Sequence, residues 1–275
     1  MIERDIASPD GRMLHAYDAP PPGRVTLALL WQHGSPQTGA PLAPVLEAAA
    51  RRGIRVFSYG RPSYGGSSPH LGRDVGSAAA DSAAVADALG IDRFAAMGAS
   101  GGGPHALAAG LLADRVMGAV TLAGIAPFST EFDWFAGMAT PAALHSARDG
   151  RAARARFEET AEFDPAQFTP ADYAALEGAW ASLGADVERS GAYGSDGLID
   201  DDVAFTSPWG FALEDVRAPV LVVQGARDRV VPLAHGEWLA SRLPDAEFWL
   251  RPDDGHISVL DAVPAAMDWL LACPR

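Results

Sequence analysis

The chain contains no lysine: all 21 of its basic residues are arginine. A Ser–Lys dyad, a lysine Schiff base and a Walker A phosphate loop each need the missing amine, so all three are excluded. Cysteine is nearly absent too. The single thiol, Cys273, rules out intrachain disulfides and thiolate zinc sites and reads as a terminal thiol without a role. Positive charge is outnumbered: 35 acidic residues bring the formal net charge to −14, which repels a phosphate backbone or an anionic membrane. No nucleic-acid and no membrane partner is expected. No apolar run is long enough to span a bilayer, and the opening "MIERDIASPDGRMLHAYD" is charged throughout with no apolar h-region. The expectation is a cytoplasmic protein acting on a small molecule, with its oligomeric state open. HExxH and EF-hand patterns are missing as well, so neither a metal nor a cofactor is expected.

What is present is a regular alternation. "MIERDIAS" and "RMLHAYDA" flank the turn signal Pro9-Asp10-Gly11 and read as a hairpin. "VTLALLWQH" follows as a nearly continuous apolar run suited to a strand buried on both faces. Strand-like "IRVFSYG", "FAAMGA" and "VMGAVTLAG" then alternate with helix-like "PLAPVLEAAARR", "SAAADSAAVADAL" and "PHALAAGLLAD". Such alternation predicts an α/β fold with a mainly parallel sheet and helices on both faces. From about Ile125 to about Ser207 no strand-like run occurs. Helical stretches fill that segment instead, "TPAALHSARDGRAARARFEETAEF" and "TPADYAALEGAWASLGADVERS" among them. "APVLVVQGARD", "PLAHGEWLASRL", "AEFWLRP" and "ISVLDAVPAAMDWLLA" resume the alternation, so residues 1–125 and 208–275 read as one core domain interrupted by a helical insertion at 126–207. Within the insertion, Asp200-Asp201-Asp202 is expected to be a solvated, helix-capping cluster rather than a cation site.

The chemistry gathers around Gly98-Ala99-Ser100-Gly101-Gly102, a G-x-S-x-G sequence that follows a strand and precedes a helix. That context is the one a nucleophile elbow requires: glycines permit a strained turn that lifts the serine hydroxyl out of the sheet. The N–H of Gly101 is left at a helix N-terminus, where a developing oxyanion is stabilised. A serine nucleophile needs a general base, and the base an orienting carboxylate. Among the 7 histidines, His256 stands in a loop after the last strand and before the last helix. His105 rides on the helix after Ser100 and reads as packed; His15, His70, His145 and His235 read as surface or packing residues. Asp228, in "VVQGARDRVVP", comes at the C-terminal end of a buried strand, where open α/β sheets collect functional groups. Asp253 and Asp254 are its rivals, sharing the loop of His256. Upstream, His33-Gly34-Ser35-Pro36 ends another strand, and the N–H of Ser35 can pair with that of Gly101.

Taken together, the His-Gly-x-Pro segment, the elbow between Gly98 and Gly102, "PVLVVQGARDRVVP" and the late Gly255-His256 resemble the α/β-hydrolase superfamily along nearly the whole chain outside the insertion. The resemblance implies a cap for residues 126–207, with Trp134 and Trp180 as bulky residues that either shape the pocket or pack the cap's own core. It implies Ser100 as nucleophile, His256 as base, Asp228 as its orienting acid, and the N–H groups of Ser35 and Gly101 as the oxyanion hole. "GRPSYGGSS" departs from many relatives, which have aspartate and glycine at the positions of Gly60 and Ser63. Epoxide hydrolases and haloalkane dehalogenases of this fold use aspartate at the elbow, and this chain has serine. The expected activity is a serine hydrolase of the carboxylesterase or lactonase type. Alternatives are a proline iminopeptidase-like aminopeptidase, with Glu158, Glu159 or Glu162 holding an ammonium, a cofactor-free perhydrolase, or a non-catalytic binding member.

Overall fold

The computed structural model describes residues 1–112 and 114–273. An eight-stranded sheet runs through it in the order β1-β2-β4-β3-β5-β6-β7-β8. The strands are β1 (Ile2–Ala7), β2 (Met13–Ala19), β3 (Leu27–Gln32), β4 (Ile54–Tyr59), β5 (Phe94–Ala99), β6 (Val116–Leu122), β7 (Val220–Gly225) and β8 (Ala246–Arg251). The expected hairpin forms β1 and β2, and β2 pairs antiparallel with β4; β3 to β8 pair in parallel.

Alternation within each strand sorts side chains to two layers. Leu29 and Trp31 of β3, with Met97, Val120 and Val223, pack with Val45 of helix α1 (Ala43–Ala50) and Met267 of α10 (Val263–Ala272). Leu30 and Phe57 turn the other way, toward Val85 of α2 (Ala78–Ala88) and Ala106 of α3 (Gly102–Ala109). Val220 and Val222 meet Leu239 of α9 (Leu233–Arg242) on that same face. Because the parallel strands end level, Gln32 opposite Gly98 and Ala99 opposite Leu122, the loops that follow them rise from one edge.

Between β6 and β7 lie five α-helices and no strand among the described residues: α4 (Ala142–Arg148), α5 (Arg151–Glu158), α6 (Pro170–Glu177), α7 (Ala181–Ser190) and α8 (Asp196–Phe205). Each of the two long helical stretches read from sequence is divided. Gly150 takes φ 94° between α4 and α5, a value that costs glycine little and any other residue more. Gly178 ends α6 before α7 begins. Among the described residues no helix is long and apolar enough to cross a membrane.

Candidate active site

Ser100 follows β5 directly, at φ 53°, in the left-handed region that non-glycine residues seldom enter. The neighbouring glycines make this turn possible by absence of side chain. A Cβ on Gly98 would collide with the Gly102 carbonyl, and one on Gly102 with the carbonyl of Gln32 in β3. The elbow is therefore wedged between two strands and its own helix, which fixes where the hydroxyl points.

The structure brings Ser100, His256 and Asp228 together. His256 Nε2 lies 2.9 Å from Ser100 Oγ and its Nδ1 lies 2.8 Å from Asp228 Oδ2. Asp228 also accepts the N–H groups of Val230 and Val231, both at 2.8 Å, and the Gln224 amide at 3.3 Å. With donors on every side the carboxylate acts as acceptor, so His256 carries its hydrogen on Nδ1 and leaves Nε2 to accept from the serine. Burial works against the imidazolium of His256, but the charges of Asp228 and Asp172 and the Asp228 hydrogen bond outweigh it and lift its pKa above the ordinary histidine value. The rival acids are engaged elsewhere: exposed Asp253 pairs with Arg227 at 2.8 Å and half-buried Asp254 with Arg251 at 2.6 Å.

Ser35 and Gly101 are in contact across the elbow, since a Cβ on Gly101 would meet the Ser35 side chain. Among the described residues neither backbone N–H has a hydrogen-bond partner. His33 is buried and neutral, burial holding its pKa well below the ordinary value. Its Nδ1 bonds the Gly34 carbonyl at 2.7 Å and its Nε2 accepts the Arg61 N–H at 3.0 Å, tying this loop to the one after β4. In that second loop Ser63 adopts φ 71° and a Cβ on Gly60 would crowd the Tyr64 carbonyl, so the departure at these two positions keeps a tight turn.

The acidic cluster of α8 is not solvated, contrary to the expectation from sequence. Asp201 has no exposed surface; its carboxylate pairs with Arg61 at 2.6 Å and Arg73 at 2.5 Å and accepts the Tyr64 hydroxyl at 2.9 Å. It also accepts the Ser35 hydroxyl at 2.5 Å, while Arg61 donates to that same oxygen at 2.9 Å. Asp200 and Asp202 pair with Arg151 and Arg154 of α5 at 2.7 and 2.6 Å. Burial opposes ionisation of Asp201, but the two guanidiniums, Arg61 foremost, hold its carboxyl well below the usual range. Asp201→Asn should therefore destabilise the fold by about 3–5 kcal/mol, because two buried arginines lose their countercharge. A guanidinium-chloride midpoint shifted by less than the equivalent of about 1 kcal/mol would refute this. Folding depresses this acid, so its contribution is present above the unfolded value of about 3.9 and is lost as pH falls through the lower folded value.

In front of Ser100 and His256 opens a cavity of about 360 Å³. Trp31, Leu42, Leu260 and Ile257 of the sheet side meet Phe163, Phe168, Leu176, Leu183 and Val187 from the helical segment, and among the described residues no Asp, Glu or Arg side chain lines it. Trp134 and Trp180 do not line it. Trp134 donates its indole N–H to the Ala126 carbonyl at 3.0 Å among Phe128, Phe135 and His235, and Trp180 donates to Asp261 at 2.8 Å. Both are packing residues.

Glu158 pairs with Arg154 at 2.8 Å, Glu159 and Glu162 are exposed, and none of the three reaches the cavity. His105 is buried with Nδ1 on the Gly101 carbonyl at 2.7 Å, and burial pushes its pKa down to about 3. His235 bonds the Trp134 carbonyl, His145 stacks on Phe135, and His15 lies beside Asp5 on the hairpin.

The comparisons with known proteins agree on the fold. The structure superposes on that of a hydrolase from Pseudomonas aeruginosa PA01 with a TM-score of 0.76 at 22% identity, covering 98% of each chain. The enol-lactonase of Burkholderia xenovorans LB400 gives 0.72 at 21% identity, covering 98% of this chain and 99% of that one. Over 52 residues, 19% of this chain, the sequence is 52% identical to the pimeloyl-[acyl-carrier protein] methyl ester esterase of Aromatoleum aromaticum (strain DSM 19018 / LMG 30748 / EbN1), a match spanning only 21% of that esterase. The model of the alpha/beta hydrolase fold family matches residues 28–263, and the chain belongs to that family.

Proposed function

We propose that this protein is a serine hydrolase that cleaves uncharged carboxylic esters or lactones through an acyl-enzyme. The observation that carries the reading is the unbroken hydrogen-bond chain Ser100–His256–Asp228, whose Ser100 and His256 line a cavity with no Asp, Glu or Arg among its described lining residues. Ser100 Oγ attacks the substrate carbonyl as His256 Nε2 takes its proton; the imidazolium is stabilised by Asp228 and returns the proton to the leaving alkoxide. The N–H groups of Ser35 and Gly101 receive the negative charge of the tetrahedral oxygen, and a dipole already aimed there needs no reorganisation. Water admitted after the alcohol leaves is activated by the same histidine and releases the acid.

The helical segment 126–207 acts as the cap in this reading, supplying Phe168, Leu176 and Leu183 to the acyl-binding wall. An aminopeptidase reading has less support, since a substrate ammonium would find no carboxylate on the cavity wall. The names of two relatives, an enol-lactonase and a methyl ester esterase, support ester or lactone chemistry.

The test is a panel of neutral p-nitrophenyl esters from acetate to decanoate, assayed with wild type and with Leu183→Trp, which places an indole in the cavity. Steric exclusion of one or more methylenes should cut kcat/KM for the longer acyl groups at least about tenfold relative to acetate. Trp134→Phe, outside the cavity, should lower stability and leave the acyl preference as it was. An unchanged preference in Leu183→Trp, or no ester turnover by wild type, would overturn the reading.

A further inference from the structure

Helix α6 carries a carboxylate that the mechanism above leaves unused. Asp172 is fully buried although it belongs to the helical segment between β6 and β7. Its Oδ2 accepts the N–H and the hydroxyl of Thr169, both at 2.8 Å, while Thr169 Oγ accepts the Asp172 N–H at 3.2 Å. This is a reciprocal capping box, which needs only one oxygen of the acid. The other oxygen is turned to the histidine loop. Oδ1 accepts the N–H of Ile257 at 2.8 Å, the N–H of Ser258 at 2.9 Å and the Ser258 hydroxyl at 3.0 Å. Ser258 Oγ in turn accepts the N–H of Gly255 at 2.8 Å.

The residues on either side of His256 thus hang, directly or through one hydroxyl, on a single oxygen that comes from another part of the fold. The fit is close enough that a Cβ on Gly255 would collide with Asp172 Oδ2. A helix cap alone would not require this arrangement, nor would it require burial of the acid beneath the loop. Burial opposes ionisation of Asp172, yet the hydrogen bonds, led by the Ser258 N–H, hold its carboxyl below the usual range, so the clamp is an anion at neutral pH. The charges acting on His256 are Asp228 at its Nδ1 side and Asp172 behind its loop; Ser100 at Nε2 is neutral, and Asp253 and Asp254 are paired with arginines.

We infer that Asp172 is a positioning residue that clamps the loop presenting His256 to Ser100, making the helical segment part of the catalytic geometry as well as a wall of the cavity. The inference rests on the Ser100–His256–Asp228 reading. A carboxylate in this place does two things for that reading: it fixes the imidazole against the serine, and it adds negative charge near the imidazolium that forms as the serine attacks.

The test uses the full-length chain with Asp172→Ala, Asp172→Asn and Ser258→Ala, measuring kcat and KM for a p-nitrophenyl ester across pH, with circular dichroism and thermal melting in parallel. Asp172→Ala should lower kcat on the order of 100-fold, the scale of an ångström-size misplacement, with KM little changed. Asp172→Asn can still offer an acceptor oxygen to Ile257 and Ser258, so it should recover most of kcat. Having lost the charge, it should also move the acid limb of the kcat/KM profile to lower pH. Ser258→Ala, which frees Gly255 from the clamp, should lower kcat about tenfold and decides the positional half if Asp172→Ala does not fold.

A purely structural role would lower the melting temperature while the folded protein kept the wild-type kcat in Ser258→Ala and the wild-type acid limb in Asp172→Asn; that result overturns the inference. Failure of the underlying reading looks different. There wild type itself would neither turn over esters nor react with a fluorophosphonate.

Discussion

Alanine in place of Ser100 is expected to lower kcat for an activated ester on the order of 10⁶-fold, the scale seen when the nucleophile of such a constellation is removed. Labelling by a fluorophosphonate should vanish with it. The reason lies in the partners of the nearby hydroxyls. Ser100 Oγ is bonded to His256 Nε2, whereas the Ser35 hydroxyl donates to Asp201 and accepts from Arg61 and cannot serve as a substitute. Alanine meets the same backbone demand, φ 53°, and fills less space, so the fold should persist and the loss should appear in kcat rather than in the amount of folded protein. The residual rate should still exceed that of water, because the N–H groups of Ser35 and Gly101 and the cavity remain. Intact mass after probe treatment and initial rates on one ester settle the point: undiminished turnover in Ser100→Ala would place the nucleophile elsewhere.

Much of the sheet is legible because its strands are buried on both faces. β3 and β7 appear in the sequence as apolar runs, "LALLWQ" and "VLVVQG", short and β-branched or bulky enough to suit a strand covered on both faces. Ser100 and Asp228 are legible for a related reason: each lies just past the end of such a run, one residue beyond Ala99 and three beyond Gly225. Helix boundaries are less so. α3 starts at Gly102, before the Pro104 that reads as its beginning, because the elbow glycines themselves form the first turn.

What the sequence conceals are pairings over long separations. Asp201 meets Arg61 and Arg73 across 140 and 128 positions, and a run of three aspartates looks the same whether its partners are water or guanidinium. Arg151 and Arg154 of α5 meet Asp200 and Asp202 of α8 in the same way, across 49 and 48 positions. Asp172 is hidden in the same way. Locally it completes a capping box after Thr169, and only the folded chain sets Ile257 and Ser258 against its other oxygen. The cavity wall combines residues 31–42 with residues 163–187, and no periodicity links them.

Asp228→Asn is expected to lower kcat about 10⁴-fold, while Asp253→Asn and Asp254→Asn cost little. Asparagine fits the space, but its amide can turn a donor toward Nδ1 and hold the imidazole in the tautomer whose Nε2 already carries hydrogen. Such a ring cannot accept from Ser100. The N–H groups of Val230 and Val231 fix Oδ1 as an acceptor, which directs the new amide nitrogen to the Oδ2 position facing His256. Asp253 and Asp254 are bonded to Arg227 and Arg251 instead, and neither side chain bonds to any member of this chain of hydrogen bonds.

The pH profile gives a second, independent reading of the same residue. Only neutral His256 can take the serine proton, so kcat/KM falls as pH drops through its pKa, and in wild type that limb should lie above the ordinary histidine value because Asp228 and Asp172 overcome the effect of burial. Loss of the Asp228 charge removes the larger of the two raising influences. The residual activity of Asp228→Asn should thus persist to lower pH than wild type even as its magnitude collapses. A severe loss in Asp254→Asn with a mild one in Asp228→Asn, or an acid limb that stays in place when Asp228 is replaced, would show that another carboxylate orients the histidine.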